Sequence, residues 1–255
     1  MQTIIKFTLI TALRDFLFIG LIILMGMAYG LSVFTGSTAL VEQEQMSIAY
    51  FAGSSRIVLM CGLIVFVCFH VRRLFENREI ESILSKPVSR VEFVVAYWLG
   101  FVVLAFIAIV PVILIMALTY STNSIGLIYW SASLLLEMSL VIAFALVAAL
   151  ILRSAVSSVM ASFTFYFVSR LMGFFVAALE MPGSLLTSGK LGTFLSVCLK
   201  TISSVIPRLD LFAKSSWLIY GIGNQNDLWV FQAQAVIFIA LLLAMAVFDF
   251  KRKEF

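Results

Sequence analysis

Charged residues are scarce in this 255-residue sequence: they make up 12% of it, against 63% hydrophobic residues and a mean hydropathy of +1.13. A soluble domain carries about 25% charged residues, so this composition excludes a soluble fold. Several runs are apolar on every side for about 20 residues, the length that crosses the hydrocarbon core of a bilayer. They lack the period of two that marks a transmembrane β-barrel. The sequence therefore predicts an all-α integral membrane protein.

Histidine and cysteine are also rare. The chain has 1 histidine, His70, and 3 cysteines, whose spacing suits neither a disulfide framework nor a metal site. Intramembrane proteases use a Ser/His pair, paired aspartates or a His-Glu-x-x-His metal motif, and no such motif occurs. The stretch GSLLTSGKL at 183–191 lacks the spacing of a phosphate-binding loop and the Ser or Thr after its lysine. We expect no catalytic residue, no metal site and no bound cofactor in this chain.

Six transmembrane helices in one domain, residues 1–255, account for the apolar runs. The first run is longer than the apolar core of a signal peptide, so we expect it to be retained. Residues 1–15 alternate apolar side chains with Lys6 and Arg14, which predicts a short helix on the membrane surface. Pro111 should kink the third span or be accommodated by its neighbours. The predicted spans are about 16–34, 57–71, 93–118, 131–152, 155–179 and 229–249.

Basic residues predict the orientation, because they concentrate on the cytoplasmic side of membrane proteins. With both termini inside, eleven of the 17 basic residues lie on the inner side and five on the outer side. We therefore expect a multi-pass protein of the cell inner membrane with both termini in the cytoplasm. The five residues on the outer side are Arg56, which ends a predicted loop over 35–56, and Lys190, Lys200, Arg208 and Lys214.

Residues 180–228, between the fifth and sixth spans, form a long outer segment. From Lys190 to Ile206 the apolar side chains recur with helical spacing, and Pro207 ends the pattern. We predict an amphipathic helix at the outer face. It either shields the ends of the spans or forms a lid over an exit path.

Residues 72–92, between the second and third spans, hold the densest charge in the chain. Up to Ser85 the segment favours a helix, and Pro87 disfavours its continuation. Ser89 and Glu92 have the spacing of a capping box, so a new helix should begin at Ser89. The pattern predicts a rigid amphipathic coupling helix, a break and a capped transmembrane helix.

Two interpretations of this coupling helix are open. It is either a solvated loop whose charges fix the topology, or a docking surface for a cytoplasmic protein. Fixing topology needs only basic residues, whereas this segment adds acidic residues and an apolar stripe, as a docking surface does. The docking residues would be Leu74, Phe75, Glu79, Ile80, Glu81, Ile83 and Leu84, with Pro87, Ser89 and Arg90 as the hinge.

The segment EIESILSKPVSRVEFVVAYWLG resembles the coupling helix of ABC-2-type transporter permeases, whose pattern is an acidic helix followed by Leu-(Ser/Thr)-x-Pro-(Val/Ile)-(Ser/Thr)-Arg. VIPRLDLF at 205–212 is similar to that family's Pro-x-Leu-x-x-Phe segment between the fifth and sixth spans. The ending LLLAMAVFDFKRKEF resembles its last span and tail. The likeness covers essentially the whole chain and is nearest to the compact permeases associated with copper-enzyme maturation.

This resemblance implies that the chain is the transmembrane subunit of an ATP-driven transporter. Export is the expected direction, because most members of the family are exporters. Two ATP-binding cassette ATPase subunits would bind beneath the membrane and hold the ATP and Mg. A second permease, identical or different, would complete the pathway, with membrane lipid around it and no nucleic acid partner. ATP binding would pull the coupling helices together and tilt the third span.

Two charged residues, Glu137 and Arg170, are predicted inside the fourth and fifth spans, about seven and ten residues from their outer ends. Charges at such depth face protein or water. They form either a structural salt bridge or a polar patch that lines the substrate path.

Other classes of protein remain as alternatives. A secondary transporter or channel would use broken helices and ion ligands near the middle of the membrane. A third possibility is a membrane anchor that binds cytoplasmic enzymes without transport.

Overall fold

The computed structural model describes residues 2–14, 16–77, 89–180, 194, 197, 201, 206–221 and 226–252. Within these residues the chain is helical and has no β-strand. Its helices are α1 (Gln2–Arg14), α2 (Phe16–Thr38), α3 (Gln43–Glu76), α4 (Arg90–Thr119), α5 (Ser124–Ile151), α6 (Ala155–Glu180), the 3₁₀ turn η1 (Leu209–Leu211), α7 (Ser216–Tyr220) and α8 (Asn226–Arg252).

Six of these helices, α2–α6 and α8, are long and apolar enough to cross a membrane. The fold is that of a multi-pass helical membrane protein, as the composition predicts. Helix α5 is the most buried of the six and packs against α3, α4, α6, α7 and α8. It is the centre of the bundle.

The second span is longer than the sequence predicts. The loop expected at 35–56 is wrong for most of its length, because α2 continues to Thr38 and α3 begins at Gln43. Gly36 makes this tight hairpin possible, since a Cβ atom there would overlap the hydroxyl of Ser47. Most residues of the predicted loop are therefore part of the bundle.

Both described ends of the chain lie at one end of the bundle, which we call the termini end. There the ring of Phe7 in α1 lies 6.4 Å from that of His70 near the end of α3. Arg90, at the start of α4, contacts Phe250 near the end of α8. Helix α1 is packed on α4, where Thr8 approaches Gly100.

The opposite end of the bundle, which we call the far end, is closed by residues 206–221. The backbone N–H of Asn123 donates to the carbonyl oxygen of Leu218 in α7 (3.1 Å). The hydroxyl of Tyr220 donates to Oε1 of Gln45 in α3 (3.1 Å). Residues 206–221 are thus fixed to the bundle.

Local sequence signals explain where the helices begin. Ser89 caps α4: its Oγ accepts from the N–H of Glu92 (3.1 Å), and a Glu92 carboxylate oxygen accepts from the N–H of Ser89 (3.2 Å). Asn123 caps α5 by accepting from the two N–H groups of Ile125 and Gly126. The capping box predicted at Ser89 is confirmed, and α4 continues through Pro111 to Thr119.

Candidate functional site

Three charged side chains from three helices meet inside the bundle: Arg56 of α3, Glu137 of α5 and Arg170 of α6. Nε of Arg56 lies 3.9 Å from one carboxylate oxygen of Glu137, and Nη1 of Arg170 lies 3.9 Å from the other. The exposed fractions of the side chains are 4% for Arg56, 0% for Glu137 and 31% for Arg170. We call these three residues the charge cluster.

The carboxylate of Glu137 is placed between two positive charges without hydrogen bonding to either. A separation of 3.9 Å exceeds the hydrogen-bond range. Neither carboxylate oxygen has a hydrogen-bond partner within the described part of the chain. A buried ion pair is stabilised only when further hydrogen bonds satisfy its polar atoms. The carboxylate of Glu137 lies near both guanidiniums, but its hydrogen-bond acceptors are unused within the described part of the chain.

The hydrogen bonds of the two arginines go instead to a segment between α6 and α7, residues 206–215, which we call the strap. Nη1 of Arg170 donates to the carbonyl oxygens of Leu209 (2.5 Å) and Phe212 (3.3 Å). Nη2 of Arg56 donates to the carbonyl oxygen of Ala213. The two arginines therefore hold the strap through its main chain, while the side chains of Leu209 and Phe212 are buried in the core.

Ala213 is hydrogen-bonded to side chains of two helices, α3 and α5. Its carbonyl oxygen also accepts from Nε1 of Trp130 (3.1 Å), and its N–H donates to Oγ of Ser133 (3.0 Å). Its φ of 45° lies in the left-handed region, which costs an alanine about 1 kcal/mol or more. These bonds offset the backbone strain and fix the strap on α5.

Two glycines let residues 208–217 approach the helices. A Cβ atom at Gly173 of α6 would overlap the carboxylate of Asp210, and one at Gly126 of α5 would overlap the backbone of Trp217. Asp210 itself pairs with Arg208 at 2.9 Å. The fit is close enough that a single methyl group would disturb it.

The structure brings together the two intramembrane charges that the sequence singles out and adds a third. The assignment of Arg56 to an outer loop is wrong, because α3 begins thirteen positions earlier, at Gln43, and carries Arg56 into the core. Glu137 also lies deeper than expected, near the middle of α5, because that helix starts at Ser124. The phenol of Tyr166 is buried and interacts electrostatically with all three charges.

Of the predicted docking residues, the structure describes Leu74 and Phe75, in the last turn of α3. Leu74 is 3% exposed and belongs to the core, so its side chain is not on the surface of α3. Phe75 is half-buried and packs against that core. Glu79, Ile80, Glu81, Ile83, Leu84 and Pro87 lie outside the described residues.

Arg90 joins the start of α4 to the end of α8, a contact that the sequence does not reveal. Its Nη1 donates to the carbonyl oxygens of Phe250 (2.8 Å) and Lys251 (3.0 Å). A cation at the last carbonyls of a helix is stabilising, because those carbonyls carry the negative end of the helix dipole. We call Ser89, Arg90, Glu92, Phe93 and Phe250 the junction.

No protein-family model and no curated protein sequence matches this chain. The charge cluster under its strap and the junction beside residues 78–88 are therefore the two features from which a function is inferred.

Proposed function

We propose that this chain is the transmembrane permease subunit of an ATP-driven transporter of the ABC-2 type. In this proposal a separate ATPase subunit binds the helix predicted around residues 75–85, and the movement of that subunit is transmitted to the spans. The observation that carries the proposal is the junction: α4 is capped at its start by Ser89 and is hydrogen-bonded to the end of α8 by Arg90. A flexible loop that only set the topology would need neither feature.

The junction stiffens the start of α4. Because the capping box fixes the first turn of α4, force applied to residues 78–88 moves that helix instead of bending its first turn. Because Arg90 bonds to the end of α8, the last span moves with α4. Nε1 of Trp98 donates to the carbonyl oxygen of Ser139 (3.1 Å), which ties α4 to the central helix. A displacement of the loop therefore reaches three spans.

The partners follow from this role. Two ATP-binding cassette ATPase subunits hold the ATP and Mg, and a second permease completes the pathway through the inner membrane. Both termini face the cytoplasm, as the distribution of basic residues favours. The direction of transport is export, on the strength of the family resemblance.

The test is to purify the chain from its native membrane, to identify what copurifies and to measure vanadate-sensitive ATP hydrolysis. The combined substitutions Glu79→Lys and Glu81→Lys should detach the ATPase or abolish ATP hydrolysis, because they reverse the charge of the proposed docking helix. Folding should persist, seen as an unchanged elution volume and thermal midpoint.

Glu42→Lys combined with Glu44→Lys is the matched control, since it changes the net charge equally at the far end. Both side chains are exposed there, and the change removes a surface hydrogen bond from the N–H of Ser121 to Glu44. If no ATPase copurifies, or if both pairs of substitutions behave alike, the proposal is wrong.

A secondary transporter or channel is the second candidate, and the charge cluster in the middle of the bundle favours it. Such sites hold ionisable residues where a proton or ion passes. Transport that follows an ion gradient in vesicles without an ATPase would select this candidate over the first.

A further inference from the structure

The charge cluster has an excess of positive charge. Arg56 and Arg170 face one carboxylate, that of Glu137. Within the strap, Arg208 pairs with Asp210, and the positive charge of Lys214 lies on an exposed side chain. Tyr166 contributes a phenol, which does not offset a guanidinium. The site therefore carries one more positive than negative charge.

The groups that fill this site are neutral. The two arginines donate to the main-chain carbonyl oxygens of Leu209, Phe212 and Ala213, while Nε of Arg56 is buried with no hydrogen-bond partner among the described residues. A guanidinium binds an oxyanion more strongly than a carbonyl, because the bonds are charge-assisted and two of them form in parallel. Three neutral carbonyl oxygens therefore accept from the two guanidiniums, at positions where an anion would bind more strongly.

We propose that the charge cluster is a binding site for the oxyanion of a ligand, such as a phosphate or carboxylate head group, and that the strap occupies this site in the resting state. A ligand oxyanion would replace the strap carbonyl oxygens as the acceptor for Arg56 and Arg170. The strap would then move away from the far end of the bundle. The idea that the ligand is cargo rests on the proposed transport function, whereas the binding site itself does not.

The bonds between the strap and the two arginines are ones that an oxyanion can replace. The strap contributes only main-chain atoms to the two arginines, so its departure leaves both guanidiniums ready for a ligand. The strained backbone of Ala213 relaxes when its hydrogen bonds are released. Arg170 is 31% exposed, which gives a ligand a first contact before Arg56 at 4%.

Glu137 has a separate part in this site. Its charge reduces the repulsion between two buried guanidiniums, which holds them near each other when no ligand is bound. Because it does not hydrogen-bond to either arginine, it leaves their donors free for an oxyanion. A carboxylate in direct contact would compete with the ligand for those donors.

The experiment follows the strap with a cysteine. Leu209→Cys is introduced into a chain in which Cys61, Cys68 and Cys198 are changed to alanine, and its reaction with a polar maleimide is timed in dodecyl maltoside. Leu209 is 0% exposed, so its labelling reports displacement of the strap. Phe51→Cys is the control, because Phe51 of α3 is also 0% exposed and its ring packs against a ring of α2.

The probes are monododecyl phosphate, inorganic phosphate and dodecyltrimethylammonium at equal concentration. We expect a phosphate to accelerate labelling of Leu209→Cys at least fivefold and to leave Phe51→Cys unchanged. Acceleration by monododecyl phosphate alone identifies a lipid-like head group, and acceleration by both phosphates identifies a free anion. No acceleration, or equal acceleration by the cation, overturns the proposal.

Substitution of the arginines completes the test. Arg56→Gln with Arg170→Gln should speed the basal labelling of Leu209→Cys and abolish the response to phosphate. The milder Arg170→Lys keeps the charge but not the planar pair of donors. The acceleration of Leu209→Cys labelling by phosphate should therefore weaken at least threefold, while Phe51→Cys stays protected. A full response to phosphate in the double variant would exclude the site.

The labelling result does not depend on the presence of an ATPase. The labelling uses the purified chain without ATP, so a phosphate response can occur even if no ATPase is ever found. Conversely, if an ATPase copurifies but phosphate does not change the labelling rate of Leu209→Cys, the transport proposal stands and the anion site is excluded.

Discussion

The ring of Phe93 lies parallel to the ring of Phe250, with the planes 7° apart and the centroids 5.0 Å apart. Phe93 follows the Pro-Val-Ser-Arg element of the sequence, and Phe250 belongs to the ending LLLAMAVFDFKRKEF. Two motifs that are distant in the sequence are therefore in contact. Both side chains are buried, at 3% and 0% exposed. The entry of α4 and the end of α8 form one packed unit at the termini end.

Arg90→Gln tests the polar half of this unit. The substitution removes two charge-assisted hydrogen bonds to the carbonyl oxygens of Phe250 and Lys251. Because hydrogen bonds to a charged group contribute about 1.5–3 kcal/mol, we expect the thermal midpoint in detergent to fall. Arg153→Gln, which removes an exposed charge from the turn between α5 and α6 at the same end, should leave the midpoint unchanged. An equal fall in both variants would show that the missing charge, not the bond to α8, is responsible.

Ser89→Ala tests the cap of α4. The substitution leaves the N–H of Glu92 without its acceptor and should cost about 1 kcal/mol. Amide hydrogen exchange should increase over residues 90–93, where the first turn frays. Ser89→Asp retains an acceptor at the same position, so exchange there should stay slow. Fraying in both variants would mean that packing on α8 and not the cap holds this turn.

The elements that the sequence predicts well are those with local signals. Long apolar runs predict the six helices, and the Ser89/Glu92 spacing predicts the cap because both residues belong to one turn. The charges Glu137 and Arg170 stand out because each interrupts an apolar run. In these cases the sequence carries the whole signal within a few residues.

Arg56 and the strap are harder to predict, because their signals are not local. Polar residues around Arg56 resemble a loop until the length of α3 is known. The backbone carbonyls of Leu209 and Ala213 have no sequence signature, since any residue offers a carbonyl oxygen. A single hint is Gly173, whose lack of a side chain makes room for Asp210.

Glu137→Gln should be the most damaging single change in the charge cluster. It leaves the buried guanidinium of Arg56 and the partly exposed guanidinium of Arg170 without a counter-charge, and removing one partner of a buried pair costs about 3–5 kcal/mol. Adding Arg56→Gln should recover part of the lost stability, because Arg56 is then no longer a buried unpaired charge. Adding Arg170→Gln should recover less, since Arg170 is 31% exposed and solvates its charge better.

Thermal midpoints of these variants in detergent measure this order, and a double-mutant cycle gives each coupling. Exchange of Glu137 and Arg170 should not restore stability, because it would place a second guanidinium beside Arg56. Full recovery after the exchange would show that Arg56 is not coupled to the pair. Additive losses throughout would contradict a shared cluster.

Gly126→Ala tests the seat of residues 216–220 on α5. The new Cβ atom would overlap the backbone of Trp217, so α7 must move away from the helix. Gly26→Ala in α2 is the matched control, because a Cβ atom there meets nothing within 4 Å. Alanine favours a helix over glycine by about 1 kcal/mol, so Gly26→Ala should raise the thermal midpoint or leave it unchanged, while Gly126→Ala lowers it. Since α7 follows the strap directly, Gly126→Ala should also speed the labelling of Leu209→Cys. A protected cysteine in that variant would show that the strap is held by its own bonds to the arginines, Trp130 and Ser133 without the help of α7.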